Sequence, residues 1–413
     1  VKAHFVNIYG VFIQSEYNTG NVRYDSFLLD AVEDVESSAT MTNEPLFDER
    51  FNPLQLCMGL CTIQHMSREK EYHLVTVVPL RDAPSMFSAL QKRARVDGYT
   101  VWMRATPEQT GAVELLFTPG VPTRTPSRWI LATLLFLATV ISTLACGALY
   151  RGIDIFANPW GILQGWQFAG ALLLILGTHE LGHYVVGRWY GAPVSLPYFI
   201  PLPPPLSFTG TLGAVIVQRE PMQNRKVLID VGLAGPFAGL VVAVPLLLYG
   251  LSISTVGQMP TTGYLQEGNS AFYLLAKLVM FGQVLPNNGI DVQLSDIAFA
   301  AWIGLLVTMF NLLPIGQLDG GHAAYAILGP SAIYLAYATI AFCFMLGVFV
   351  DNTWLIWGVI ALMANPRHPA PYDDVTPVDW RRMILALLAA IVLLFLLTPS
   401  PLQVVPGVNG TIG

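Results

Sequence analysis

Residues 166–190 read WQFAGALLLILGTHELGHYVVGRWY. A helix needs about 20 apolar residues to cross roughly 30 Å of hydrocarbon, and this stretch opens as such a helix. It then carries His179, Glu180 and His183 in the pattern HExxH. Histidines four apart lie one turn apart on one helix face, where both imidazoles can bind one zinc ion. A glutamate beside them can take a proton from metal-bound water. In a soluble protein the bare pattern has many chance matches. Inside an apolar run, three ionisable side chains are expensive and mark a used site.

The rest of the chain has the same character. It has 413 residues, of which 54% are hydrophobic and 12% charged, against about 25% charged in soluble proteins. That excludes an ordinary soluble enzyme and a disordered chain. The charges crowd into residues 1–128 and thin out beyond. The expected architecture is an α-helical polytopic membrane protein with a small N-terminal α/β cytoplasmic domain. Trp129–Leu149, Trp166–Tyr190, Val227–Tyr249, Ile297–Leu313, Ala332–Val350 and Met383–Leu397 read as spans. Phe272–Val284 and Thr353–Met363 are apolar but short, so the expected number is about six to eight. Tyr198–Phe208 is apolar yet holds Pro201, Pro203, Pro204 and Pro205, so it cannot be a regular helix. At membrane depth such backbone must be covered by protein or line a wet cavity.

Three regions follow. Residues 1–72 form an acidic region without a readable task. Residues 73–124 read β-α-β-β: a strand at His73–Leu80, a helix at Ala83–Arg95 with Met86, Phe87 and Leu90 on one face, then strands at Tyr99–Arg104 and Ala112–Phe117. Residues 125–413 form the membrane-embedded domain. The net charge of −6 gives no reason to expect nucleic acid. Cys57 and Cys61 have no matching second pair and are weak evidence for a metal. Residues 1–30 lack the basic start and long apolar core of a secretory signal.

Basic residues tend to stay cytoplasmic. Arg124 and Arg128 precede the first span, Arg188, Arg219, Arg225 and Lys226 lie between the second and third, and Arg367, Arg381 and Arg382 precede the last. Placing these groups inside puts the polar domain in the cytoplasm. It also demands an odd number of crossings between residues 249 and 367. One short apolar segment must therefore cross, or the C-terminal side is reversed.

Zinc in a catalytic site takes three protein ligands and leaves a position for water. Asp230, Asp319 and His322 are the candidates at membrane depth. Asp319 lies in NLLPIGQLDGGH (311–322), where Pro314, Gly316, Gly320 and Gly321 break the helix and let backbone approach closely. It is the best third ligand. Asp230, among small residues in KVLIDVGLAGPFAG, reads as a polar group that supports the site or helix packing. His322 reads as a satisfied or solvent-side histidine.

The sequence resembles the site-2 protease family of intramembrane zinc metalloproteases. The resemblance rests on HELGH at 179–183 and on Asn311-x-x-Pro314 followed by Leu318-Asp319-Gly320. PPPLSFTGTLGAVI (203–216), NRKVLIDVGLAGPFAG (224–239) and NLLPIGQLDGGH (311–322) are similar to the cyanobacterial and plastid branch. RHPAPYDD (367–374) resembles its HPP-type tail motif, with Ala370 where proline is usual. The likeness covers about residues 73–398. It implies one Zn²⁺ per chain on His179, His183 and Asp319, with Glu180 as general base. Asn311 is a candidate contact to substrate backbone or oxyanion. Leu212–Val217 is a candidate edge for pairing with an unwound substrate. The implied activity is hydrolysis of a peptide bond in or near the span of a single-pass membrane protein, after a first cut by a site-1-type protease. The implied setting is a lipid bilayer, read as a bacterial inner membrane. A proteolytically inactive zinc scaffold and a secondary transporter are the rival classes. Neither has a need for Glu180 between two ligand-capable histidines.

Overall fold

The computed structural model describes residues 51–413, apart from 70–71, 107–110, 123–127, 219, 261–263, 364 and 406–413. Residues 1–50, the larger part of the acidic region, lie outside the described residues. The polar part opens with α1 (Pro53–Cys57), capped by the Asn52 side chain, which accepts from the Leu54 N–H at 3.0 Å. Then come β1 (Cys61–Glu69), β2 (Tyr72–Pro79), α2 (Ala83–Val96), β3 (Tyr99–Ala105) and β4 (Val113–Pro119). The strands make one antiparallel sheet in the order β1-β2-β4-β3. Met86, Phe87, Leu90 and Ala94 of α2 pack into its core. The sheet thus begins before residue 73. β1 is an edge strand whose exposed polar side chains hide it from hydrophobic periodicity.

The remaining helices are α3 (Trp129–Tyr150), α4 (Trp166–Trp189) and, after the hairpin of β5 (Tyr198–Pro201) and β6 (Thr211–Val215), α5 (Arg225–Ser252). The proline-rich stretch is therefore a strand and turn. β7 (Thr255–Gln258), β8 (Tyr264–Glu267), α6 (Ala271–Phe281) and β9 (Ile290–Gln293) follow. Then come α7 (Asp296–Asn311), α8 (Asp319–Leu328), α9 (Ala332–Phe349), α10 (Thr353–Met363), α11 (Trp380–Leu396) and β10 (Leu402–Val405). Four helical runs among the described residues are long and apolar enough to cross a membrane: Trp129–Tyr150, Pro159–Trp189, Arg225–Ser252 and Asp319–Phe349. The last is divided at Gly329, whose φ of 60° lies in the left-handed region. Exposed Leu134, Leu137, Ile141, Leu174, Val241 and Phe342 leave these helices with apolar outer faces.

α6 is not a span. It sits between β8 and β9, beside the β7–β9 and β8–β10 pairs. Its fully buried Lys277 meets Asp291 at 3.3 Å, and the Tyr273 hydroxyl donates to Glu267 at 3.0 Å. Burial raises the Glu267 carboxyl above its ordinary value. α9 and α10 form an antiparallel hairpin: Gly347 faces Leu355, and Gly358 faces Phe344.

Two glycines set the closeness of the packing. A Cβ at Gly182 would lie 2.6 Å from the Ala234 carbonyl oxygen, so α4 and α5 meet almost backbone to backbone. A Cβ at Gly250 would lie 2.6 Å from the Ala298 Cα, which brings α7 equally near. The start of α7 is capped by Ser295, whose oxygen accepts from the Ala298 N–H at 3.2 Å while its hydroxyl donates to the Gly250 carbonyl at 2.8 Å. Ser295→Ala removes both bonds. A loss of about 0.5–2 kcal/mol is expected, readable as a lower unfolding midpoint in micelles.

Candidate metal centre

His179 and His183 lie on the C-terminal half of α4, and Asp319 opens α8. The two imidazole Nε2 atoms are 3.2 Å apart. Asp319 Oδ2 lies 3.2 Å from His179 Nε2, and Oδ1 lies 3.3 Å from His183 Nε2. The three donor groups lie within 4.8 Å of one another and are the one such cluster among the described residues. Asp319 reaches them because the chain folds back sharply after α7. At Gly316 φ is 49°. A Cβ at Gly321 would lie 2.6 Å from the Ile315 carbonyl oxygen, so only glycine allows that return.

The histidines are aimed by α5. His183 Nδ1 is 2.7 Å from the Val231 carbonyl oxygen. A carbonyl can only accept, so Nδ1 carries the proton and Nε2 presents its lone pair to the centre. A Cβ at Gly235 would run into the His183 imidazole, and one at Gly239 would lie 3.3 Å from the His179 Cβ. These glycines make room for both rings. The sequence pattern assigns the small residues of α5 to helix packing. That is true of Gly232, but Gly235 and Gly239 also serve the site. Their spacing of four, matching that of the histidines, was the available signal.

A cavity opens on the centre. Its wall includes His179, Glu180, His183, Asn311, Asp319 and the strand residues Gly213–Val215 of β6. Asn311 Nδ2 is 3.4 Å from His179 Nε2. Among the described residues β6 pairs with β5 alone, and residues 212–216 line the cavity. Two imidazoles, a carboxylate and an adjoining cavity are the donor set and opening of a hydrolytic zinc site.

The other candidates are engaged elsewhere. Asp230 receives Arg382 Nε at 2.9 and 3.0 Å, and the Tyr190 hydroxyl donates to it at 2.6 Å. This ties α11 to α5 and the end of α4, one residue from the carbonyl that orients His183. His322 Nδ1 lies 2.6 Å from His368 Nε2. No sequence pattern joins these two histidines, which stand 46 positions apart. Cys57 and Cys61 are buried free thiols in the sheet domain, away from the centre.

The His-His-Asp cluster, which could hold a metal ion, is set among helices long and apolar enough to cross a membrane. Residues 167–348 match peptidase family M50. The chain is 31% identical over 300 residues to the probable zinc metalloprotease EGY1, chloroplastic, of Arabidopsis thaliana, covering 65% of this chain and 53% of that protein. The probable zinc metalloprotease EGY2, chloroplastic, of the same plant is 31% identical over 255 residues, covering 60% and 44%. The EGY1 of Oryza sativa subsp. japonica is 28% identical over 306 residues, covering 67% and 51%. The chain spans about half the length of the curated relatives it matches. No solved structure matches it significantly.

Proposed function

We propose that the chain is an intramembrane zinc metalloprotease that hydrolyses a peptide bond within or near the transmembrane segment of a membrane protein. The observation that carries this reading is the convergence of His179, His183 and Asp319 on one point, with Glu180 in the same cavity wall. In this reading the three are the metal ligands. Zinc, when bound, supplies a Lewis acid for water and the scissile carbonyl. The Glu180 carboxylate accepts the water's proton and returns it to the leaving amine. The Asn311 amide stands beside His179 as a hydrogen-bond donor to substrate backbone or to the developing oxyanion. A carbonyl inside a helix is engaged in the helix's own bonds, so the substrate has to present an extended segment. The cavity-side edge of β6 offers backbone groups to such a segment.

The crossing number supports the cytoplasmic placing of the sheet domain. α7 and α8 together run from the Gly250 end, beside Ser295, to the Arg225 end, beside Gly329. The α9–α10 hairpin starts at that second end, and the chain after it returns there, where Asp374 meets Arg225. The count between residues 249 and 367 is then odd, as the basic residues require. We read the membrane as a bacterial plasma membrane. The substrates are read as single-pass proteins, trimmed first by a site-1-type protease. A cysteine at Asp97, an exposed position of the sheet domain, is expected to resist an impermeant thiol reagent added to intact cells. Labelling there would reverse the orientation.

The deciding experiment places the parent and Glu180→Gln in liposomes with a panel of single-span proteins and identifies products by mass. A cut in the span by the parent alone is expected. Zinc binding with no cut across the panel would favour a scaffold.

A further inference from the structure

Residues 371–374, between α10 and α11, are a segment that bridges two neighbours, with isolated β-bridges from Asp373 to Met103 and to Asn224. On one side they pair with β3. The Met103 N–H donates to the Tyr372 carbonyl at 2.8 Å, and the Asp374 N–H to the Met103 carbonyl at 3.1 Å. Arg104 Nη1 adds bonds to the Pro371 and Tyr372 carbonyls at 2.9 and 3.2 Å. On the other side, the Tyr372 and Asp373 N–H groups donate to the Met222 and Gln223 carbonyls at 2.9 and 3.0 Å. The sheet domain therefore reaches the membrane domain through this strap. An ion pair between Arg95 and Glu220 at 2.7 Å lies beside it.

The same strap grips α8, the helix that starts with Asp319. His368 meets His322 at 2.6 Å, and its ring stacks on Tyr325 with centroids 4.7 Å apart. The Tyr325 hydroxyl donates to Asp374 Oδ2 at 3.1 Å, and Arg225 Nε donates to Oδ1 at 2.8 Å. Arg104 is the weak point of the docked arrangement. It is buried over the Trp102 ring, yet its Nε and Nη2 find no hydrogen-bond partner among the described residues. The nearby carboxylates are already engaged, Asp373 by Val375 and Thr376 and Asp374 by Arg225 and Tyr325. A buried guanidinium that is only partly satisfied narrows the margin by which docking is favoured.

We propose that residues 368–374 couple the sheet domain to the metal centre: while the sheet domain is docked, the strap holds α8 and so places Asp319, and release of the sheet domain loosens that ligand. His368 and Asp374 are then positioning residues, and the sheet domain regulates the site from within the same chain. This rests on His179, His183 and Asp319 being the metal ligands.

The test reads zinc affinity by chelator competition on the full chain in nanodiscs. Met103→Pro deletes the N–H that pairs with the strap, and His368→Ala deletes the grip on α8. Each is expected to weaken zinc about tenfold or more, the usual effect of losing a partner behind a ligand. A flexible bis-maleimide bridge between Arg95→Cys and Glu220→Cys, long enough to replace the two side chains that meet there, staples the sheet domain back. It is expected to restore Met103→Pro and to leave His368→Ala impaired, a split that general structural damage would not give. Arg95→Glu, at a partly exposed position, keeps the test open should Met103→Pro fail to fold. It is expected to weaken zinc, and adding Glu220→Arg to restore it. Unchanged affinity in every variant, with zinc bound by the parent, overturns the coupling and spares the metal site. A parent that binds no zinc overturns both.

Discussion

Glu180→Gln is expected to reduce peptide-bond cleavage by about 10²- to 10⁴-fold, the usual contribution of a positioned general base, and to leave zinc content at the parental level. The amide matches the carboxylate in size but cannot accept the proton of an attacking water. The ligand atoms lie on His179, His183 and Asp319, so nothing that holds the metal is removed. Zinc per chain by atomic emission, measured beside product yield in liposomes, separates the two roles. Cleavage that survives the substitution would remove Glu180 from the mechanism. Loss of zinc together with activity would make it a structural partner of the centre.

The second large effect is expected at a residue with no donor atom. Gly235→Ala places a methyl group where the His183 imidazole lies. The ring has to leave its hydrogen bond to Val231, and its Nε2 turns from the other donors. Zinc affinity should fall at least as far as on loss of a ligand's hydrogen-bond partner, about 10- to 100-fold, and toward the level of Asp319→Ala or His183→Ala. Gly170→Ala is the matched control, because a Cβ there meets nothing within 4 Å. Equal zinc binding by Gly235→Ala and Gly170→Ala would show that α5 does not set the histidine position.

The parts of the centre legible in the sequence share a physical mark. His179, Glu180 and His183 are ionisable groups within an apolar run, and their spacing is that of one helix face. Asp319 stands in a run of proline and glycine that only a helix break explains. The parts that were not legible depend on which surfaces meet after folding. Val231 offers only its carbonyl, and a carbonyl has no sequence signature. His322 and His368 pair across 46 positions, with no periodicity to join them. The fold divides in the same way. α3, α4 and α5 declare themselves by length and hydropathy, since lipid imposes both. α6 is as apolar as a short span, and only its buried Lys277–Asp291 pair, formed on folding, shows that it belongs to an end cap. β1 is hidden because an edge strand is stabilised by backbone pairing more than by buried side chains.

The β8–β10 pair gives the molecule a built-in polarity marker. Leu402–Val405 closes onto Tyr264–Glu267 at the end where Ser295 meets Gly250, whereas β3 sits at the end where α5 begins. Two reporters, one on the sheet and one beside the last strand, are thus held apart by the full depth of the helical layer. In sealed right-side-out vesicles a protease should reach one and spare the other, and inversion of the vesicles should exchange them. A vectorial readout of this kind needs no substrate, no metal and no catalytic turnover.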